Sequence, residues 1–87
     1  IVSDPDEEGD LEHTLRIVGH VTGAIAHWQE GDCVGIRGPY GRGWPLAEAR
    51  GRDVIVVTGG LGCAPVAGAI RYMLRRRADY GDLQILH

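Results

Sequence analysis

The pattern of apolar and polar positions changes character near the middle of the chain. In the first half the apolar residues are scattered. Ile1-Val2-Ser3 reads as the end of a strand, and Asp4-Pro5-Asp6-Glu7-Glu8-Gly9-Asp10 is a like-charge run with turn residues that predicts a solvated hairpin loop. From Leu11 to Val18, Leu11, His13, Leu15 and Ile17 alternate in part with Glu12, Thr14 and Arg16, which predicts a half-buried strand ended by Gly19. Ala24-Ile25-Ala26 and Trp28 predict a two-turn helix over Thr22–Gln29 with Thr22 as its cap. Gly31-Asp32 makes a turn, Cys33-Val34-Gly35-Ile36-Arg37 reads as another strand, and Gly38-Pro39-Tyr40-Gly41-Arg42-Gly43-Trp44-Pro45 reads as a connecting loop.

The second half is more regular. Asp53-Val54-Ile55-Val56-Val57-Thr58 is a continuous β-branched run, the pattern of a parallel strand covered on both faces. Gly59-Gly60-Leu61-Gly62 predicts a tight turn, and Pro65 suits the first turn of the following helix, where its missing N–H costs nothing. Val66, Ile70, Met73 and Leu74 fall on one helical face, with Arg71, Arg75 and Arg76 largely on the other. Gly81 is expected to stop the helix and Leu83-Gln84-Ile85-Leu86 to begin a second strand, which together make one βαβ unit.

Composition narrows the functional classes. At 87 residues the chain is short for a domain and cannot hold two complete ones, so a thin stability margin is expected. A hydrophobic content of 44% and a charged content of 24% are ordinary for a globular protein and argue against general disorder. The net charge of −3 gives no case for a nucleic-acid surface, although all nine basic residues are arginine. Cys33 and Cys63 lie far apart, which argues against a disulfide framework or a zinc or iron–sulfur site within these residues. No apolar run reaches membrane-spanning length, and a cytoplasmic location is the expectation.

Three segments carry candidate chemistry. Thr58-Gly59-Gly60-Leu61-Gly62-Cys63-Ala64-Pro65 delivers a strand into a helix, where unpaired N–H groups and the helix dipole attract phosphate. Its glycines let a pyrophosphate approach the backbone, although Pro65 stands where the third small residue of G-x-G-x-x-G belongs. A plain strand-to-helix turn without ligand would read the same. Val18-Gly19-His20-Val21-Thr22-Gly23-Ala24 could form a second anion cradle or only a capped surface helix. The Gly38–Pro45 loop by itself says only that a rigid linker is present. His13, His20 and His27 recur every seven residues, but they fall on a strand, a turn and a helix, which argues against a shared metal. Arg75-Arg76-Arg77 reads as a solvated helix face.

Taken in order, these segments resemble the ferredoxin–NADP reductase superfamily, most closely the electron-transfer or gamma subunits of sulfhydrogenases, anaerobic sulfite reductase and dihydroorotate dehydrogenase. The resemblance rests on Thr14-Leu15-Arg16-Ile17-Val18-Gly19, Gly31-Asp32-Cys33-Val34, Gly38-Pro39-Tyr40-Gly41 and Gly59-Gly60-Leu61-Gly62-Cys63-Ala64-Pro65. It implies an α/β fold: a partial antiparallel FAD-binding β-barrel over residues 1–45, then the first βαβ unit of a Rossmann-like NAD(P)-binding domain over residues 46–87. It implies that Thr14, Leu15 and Arg16 line an FAD site and that Gly19, Val21 and Thr22 hold the FAD pyrophosphate. Thr58, Gly59, Gly60, Leu61, Gly62 and Pro65 would face the nicotinamide nucleotide, NADH or NADPH.

The implied function is an electron-transfer subunit passing electrons between NAD(P)H, FAD and an iron–sulfur partner. It would serve a catalytic subunit of a hydrogenase, sulfite reductase or dihydroorotate dehydrogenase complex. The family's Arg-x-(Tyr/Phe/Ile)-(Ser/Thr) motif would lie before Ile1, and the residue that selects NAD or NADP after His87. The cysteine cluster for a [2Fe-2S] centre would also lie outside these residues. The alternative is a non-catalytic truncated remnant or a nucleotide-binding or docking module. A Rossmann-type transferase leaves Gly38–Tyr40 unexplained.

Overall fold

A computed structural model describes residues 1–87. Its regular elements are α1 (His20–Ile25), β1 (Val54–Val57), α2 (Cys63–Arg75) and β2 (Leu83–Leu86), with 3-10 turns at Gly60–Gly62 and Arg77–Asp79. β1 and β2 pair in parallel, Val54 opposite Leu83 through Val57 opposite Leu86. The β-branched run and the apolar stripe behind it thus make the expected β1-α2-β2 unit, because parallel strands need a crossover long enough to hold a helix.

The core of this unit is small. Ala69 and Met73 of α2 and Tyr80 beyond it are its buried hydrophobic residues, and the Tyr80 hydroxyl donates to the Leu46 carbonyl at 3.1 Å. Only six of 87 residues are buried, and the radius of gyration is 15.3 Å. A compact domain of this length would have a radius near 12 Å, so much of the chain spreads away from the core. The thin margin expected from length is visible here as a lack of interior.

Several expected elements differ. Residues 1–3, 11–18 and 33–37 form no strands. A strand requires partners for its N–H and C=O groups, and the first half supplies little beyond Val2 N–H to Glu12 C=O at 2.9 Å and Glu12 N–H to Ser3 Oγ at 3.4 Å. Leu11, Leu15 and Ile17 remain exposed, so no barrel is formed by these residues.

The first helix begins at His20, and Thr22 is its third residue, not its cap. α2 stops at Arg75, before Gly81, because Arg76 leaves helical geometry (φ −113°, ψ 40°) and the chain tightens into the Arg77–Asp79 turn. Gly81 instead leads into the second strand: its N–H donates to the Arg52 carbonyl at 2.8 Å and the next N–H, of Asp82, to Asp53 Oδ1 at 2.7 Å. Leu74 lies on the exposed side of α2. β1 is covered on one face only; Val54 and Val56 are half-buried, while Ile55 and Val57 are exposed.

The acidic run and the arginine face of α2, both expected to be solvated, meet each other. Arg71 pairs with Glu12 at 2.6 Å, Arg75 with Glu7 at 2.7 Å and Arg76 with Asp6 at 2.7 Å. The Asp4 side chain is wholly buried, with Oδ2 at 3.6 Å from both Arg75 Nε and Arg76 Nη1. The backbone comes close as well: a Cβ on Gly68 would stand 2.5 Å from the Ser3 carbonyl oxygen, so only glycine admits this approach. Arg76 also lies over the Tyr72 ring at 3.9 Å.

Candidate nucleotide cleft

The glycine turn is built by the end of β1. Thr58 continues the ladder, its N–H donating to the Leu86 carbonyl at 2.9 Å, and its Oγ1 meets His87 Nδ1 at 2.9 Å. Beyond it, Gly60 takes φ +53°, a left-handed conformation that favours glycine, and Gly62 N–H closes the turn on the Gly59 carbonyl at 3.0 Å. A Cβ placed on Gly59, Gly60 or Gly62 would meet nothing within 4 Å. Packing therefore does not demand small residues at Gly59 and Gly62, and the bare backbone faces open space at the start of a 13-residue helix. That is the geometry a phosphate-bearing ligand needs: N–H donors at a helix start with no side chain in front of them.

Across from the turn stands Thr14. A hollow of about 440 Å³ is lined by Ile1, Thr14, Leu61, Gly62, Ala64 and Pro65. A neighbouring hollow of about 420 Å³ is lined by Val2, Thr14, Leu61, Cys63, Ala64, Ala67, Ile70 and Arg71. One residue expected on the flavin side thus shares a cleft with Leu61, Gly62 and Pro65, expected on the nicotinamide side. Leu15, Arg16, Gly19, Val21 and Thr22 lie outside both hollows, and Thr58, Gly59 and Gly60 sit at the end of β1 without lining them.

The second cradle has a different construction. Thr22 Oγ1 accepts hydrogen bonds from Val18 N–H at 3.0 Å and Gly19 N–H at 3.1 Å, reaching back from the third helical position. The hydroxyl therefore organises its own turn, and what α1 has to offer a ligand is the set of first-turn N–H groups. α1 is six residues long and none of them is buried.

Sequence reasoning missed Ile1 as a cleft residue and the Trp44 Nε1–H bond to the Pro65 carbonyl at 2.9 Å, which ties the connecting loop to the start of α2. It also missed the ion pairs beside the cleft. Their signal was present in the complementary charges of Asp4–Glu12 and Arg71–Arg76. The hydrogen bond to Glu7, followed by its Coulomb attraction, raises the Arg75 guanidinium above its ordinary range. Stability linked to a raised pKa is fully present below the unfolded value and fades only as pH climbs through the folded one. This cation therefore persists at every pH below the ordinary arginine range. No set of three His, Cys, Asp or Glu side chains converges to hold a metal ion, and no helix is long and apolar enough to cross a membrane.

Comparison with known proteins gives the cleft its context. No family model matches the chain, and no solved structure matches it. Among curated proteins it is 36% identical over all of its 87 residues to the sulfhydrogenase 1 subunit gamma of Pyrococcus furiosus, covering 30% of that protein. It is 50% identical over 54 residues, 62% of the chain and 19% of the relative, to a probable dihydroorotate dehydrogenase B (NAD(+)) electron transfer subunit of Methanothermobacter thermautotrophicus. With the Bacillus cereus dihydroorotate dehydrogenase B (NAD(+)) electron transfer subunit it shares 30% identity over 82 residues, 93% of the chain and 30% of the relative. The chain spans less than a third of the length of these relatives. Its homologues are thus electron-transfer subunits of oxidoreductases of the ferredoxin–NADP reductase-like family, and the chain is similar to a segment of them.

Proposed function

We propose that this chain is the junction segment of an NAD(P)H-dependent flavoprotein electron-transfer subunit, with residues 1–45 contributing to a flavin domain and residues 46–87 beginning a nicotinamide-nucleotide domain. The observation that carries the reading is the cleft in which Thr14 faces Leu61, Gly62 and Pro65, in a chain whose relatives are electron-transfer subunits. In this reading Thr14, Leu15 and Arg16 border the flavin, while Gly19, Val21 and Thr22 present the α1 start to its pyrophosphate. Thr58, Gly59, Gly60, Leu61, Gly62 and Pro65 present the α2 start to the nicotinamide nucleotide. The glycines fit such a group, since the space in front of them is free of this chain's own atoms. A flavin bound here would take the two electrons of one hydride and pass them singly to an iron–sulfur acceptor. The chain's residues orient the two nucleotides and neutralise their phosphates with backbone donors. The partner would be the catalytic subunit of a hydrogenase-, sulfite reductase- or dihydroorotate dehydrogenase-type complex.

The test separates the two nucleotide sites. Gly60→Val and Gly62→Val are expected to weaken NADH or NADPH binding about tenfold or more, because a Cβ and its methyls fill the space before the phosphate donors. FAD affinity, followed by the change in flavin absorbance, should stay as in the unaltered protein. Loss of FAD affinity with unchanged nicotinamide binding would mean that the two sites are assigned in reverse. Unchanged affinity for both would leave the turn as a structural connection, and the chain as a docking segment whose exposed Ile55 and Val57 face a neighbour.

A further inference from the structure

We propose that the contact between the acidic segment Asp4–Glu12 and the arginine face of α2 is a clasp that sets the width of the Thr14 cleft. Three independent observations converge on it. Three carboxylates of the segment each meet a guanidinium at close range: Glu12 with Arg71, Glu7 with Arg75, Asp6 with Arg76. Asp4 is buried between Arg75 and Arg76, its Oδ1 accepting from Asp6 N–H at 3.0 Å while Oδ2 forms no hydrogen bond and faces both cations at 3.6 Å. Gly68 then admits the Ser3 carbonyl against the helix backbone, a fit that longer side chains would prevent.

The clasp reaches the cleft directly. Arg71 lines the hollow that Thr14 also lines, and its partner Glu12 is two residues from Thr14 in the chain. Glu12 N–H and C=O are in turn tied to Ser3 Oγ and Val2 N–H, so the segment that carries Thr14 is held at both its backbone and its side chain. Opening the Glu12–Arg71 pair frees Thr14 from Cys63 and Leu61, which stand across the same hollow. Glu12 and Arg71 are therefore positioning residues, acting on the cleft through the segment between them. Their consequence for nucleotide geometry rests on the function proposed above; the clasp itself does not.

Cross-linking measures the width without any ligand. In a Cys33→Ser background, Thr14→Cys and the native Cys63 are joined with a short bismaleimide, and the yield is followed as charges change. Glu12→Arg or Arg71→Glu alone is expected to lower the yield about threefold or more, since attraction becomes repulsion at an exposed pair. The double exchange Glu12→Arg with Arg71→Glu should restore it. Raising NaCl from low millimolar to 1 M, where the screening length falls to about 3 Å, should lower the yield of the otherwise unaltered pair while the helix signal in circular dichroism persists. The salt series also decides the matter should a charge variant fail to fold. Yields indifferent to salt and to single reversals, or a double exchange that stays low with its helix intact, would overturn the clasp. NADH binding by the Cys33→Ser chain is measured in parallel, so that a failed nucleotide site is told apart from a failed clasp.

Discussion

The two glycine turns that lead into helices in this chain have different structures. The turn at Gly59–Gly62 is delivered by a paired strand and leads into a 13-residue helix in which Gly68, Ala69 and Met73 are buried. The turn at Gly19 follows an unpaired segment and leads into a six-residue helix with no buried residue. The first is held by its neighbours in space, the second by one threonine hydroxyl. Short helices are marginal without packing, so the difference lies in what each helix finds to cover it and not in local propensity.

The contrast is broken most forcefully by Met73→Ala. Met73 is 2% exposed, and truncating it should remove about 2–3 kcal/mol from a unit with little core to spare. Thermal unfolding followed by circular dichroism should show α2 lost at a much lower temperature. Amide exchange at α1 should be unaffected; a parallel change there would show that the two turns are energetically coupled. Gly68→Ala is expected to act next. Its Cβ collides with the Ser3 carbonyl, so residues 1–4 should lift off with a cost of about 1–3 kcal/mol, partly offset by better helix propensity. Faster exchange at Val2 N–H with an intact helix signal is the outcome to look for.

Thr22→Ala sharpens the comparison from the other side. Losing the bonds to Val18 and Gly19 should cost about 1 kcal/mol locally and leave the unfolding of the β1-α2-β2 unit unchanged. If α1 persists, its first-turn order comes from elsewhere. The smallest effect is expected for Ile55→Thr on the exposed face of β1, within about 0.5 kcal/mol in this chain by denaturant unfolding. A larger loss would mean that this face is covered in solution.

The βαβ unit was legible because its signals are local and mutually consistent: a β-branched run, a glycine turn, a proline suited to a first turn and an apolar stripe. The strands expected before it were not formed, since Leu11–Val18 and Cys33–Arg37 carry a strand pattern without a partner to complete the ladder. The candidate site was legible in part. Thr14, Leu61, Gly62, Ala64 and Pro65 share one cleft, whereas Ile1 entered it through proximity that no periodicity encodes. The acidic run and the arginine face were each read as solvated, because charge alone does not say whether its partner is water or another side chain.

By itself, then, the sequence determined where the chain turns, which stretch becomes the paired strands and long helix, and which family its motifs resemble. These follow from backbone preference and hydrophobic period, which act over a few residues. Only the tertiary structure decided that Asp4 is buried beneath Arg75 and Arg76, that Ser3 rests on Gly68, and that Thr14 stands across from the glycine turn. Those relations join residues more than forty positions apart, and at such separations charge complementarity and close backbone approach choose among arrangements that local pattern leaves equal.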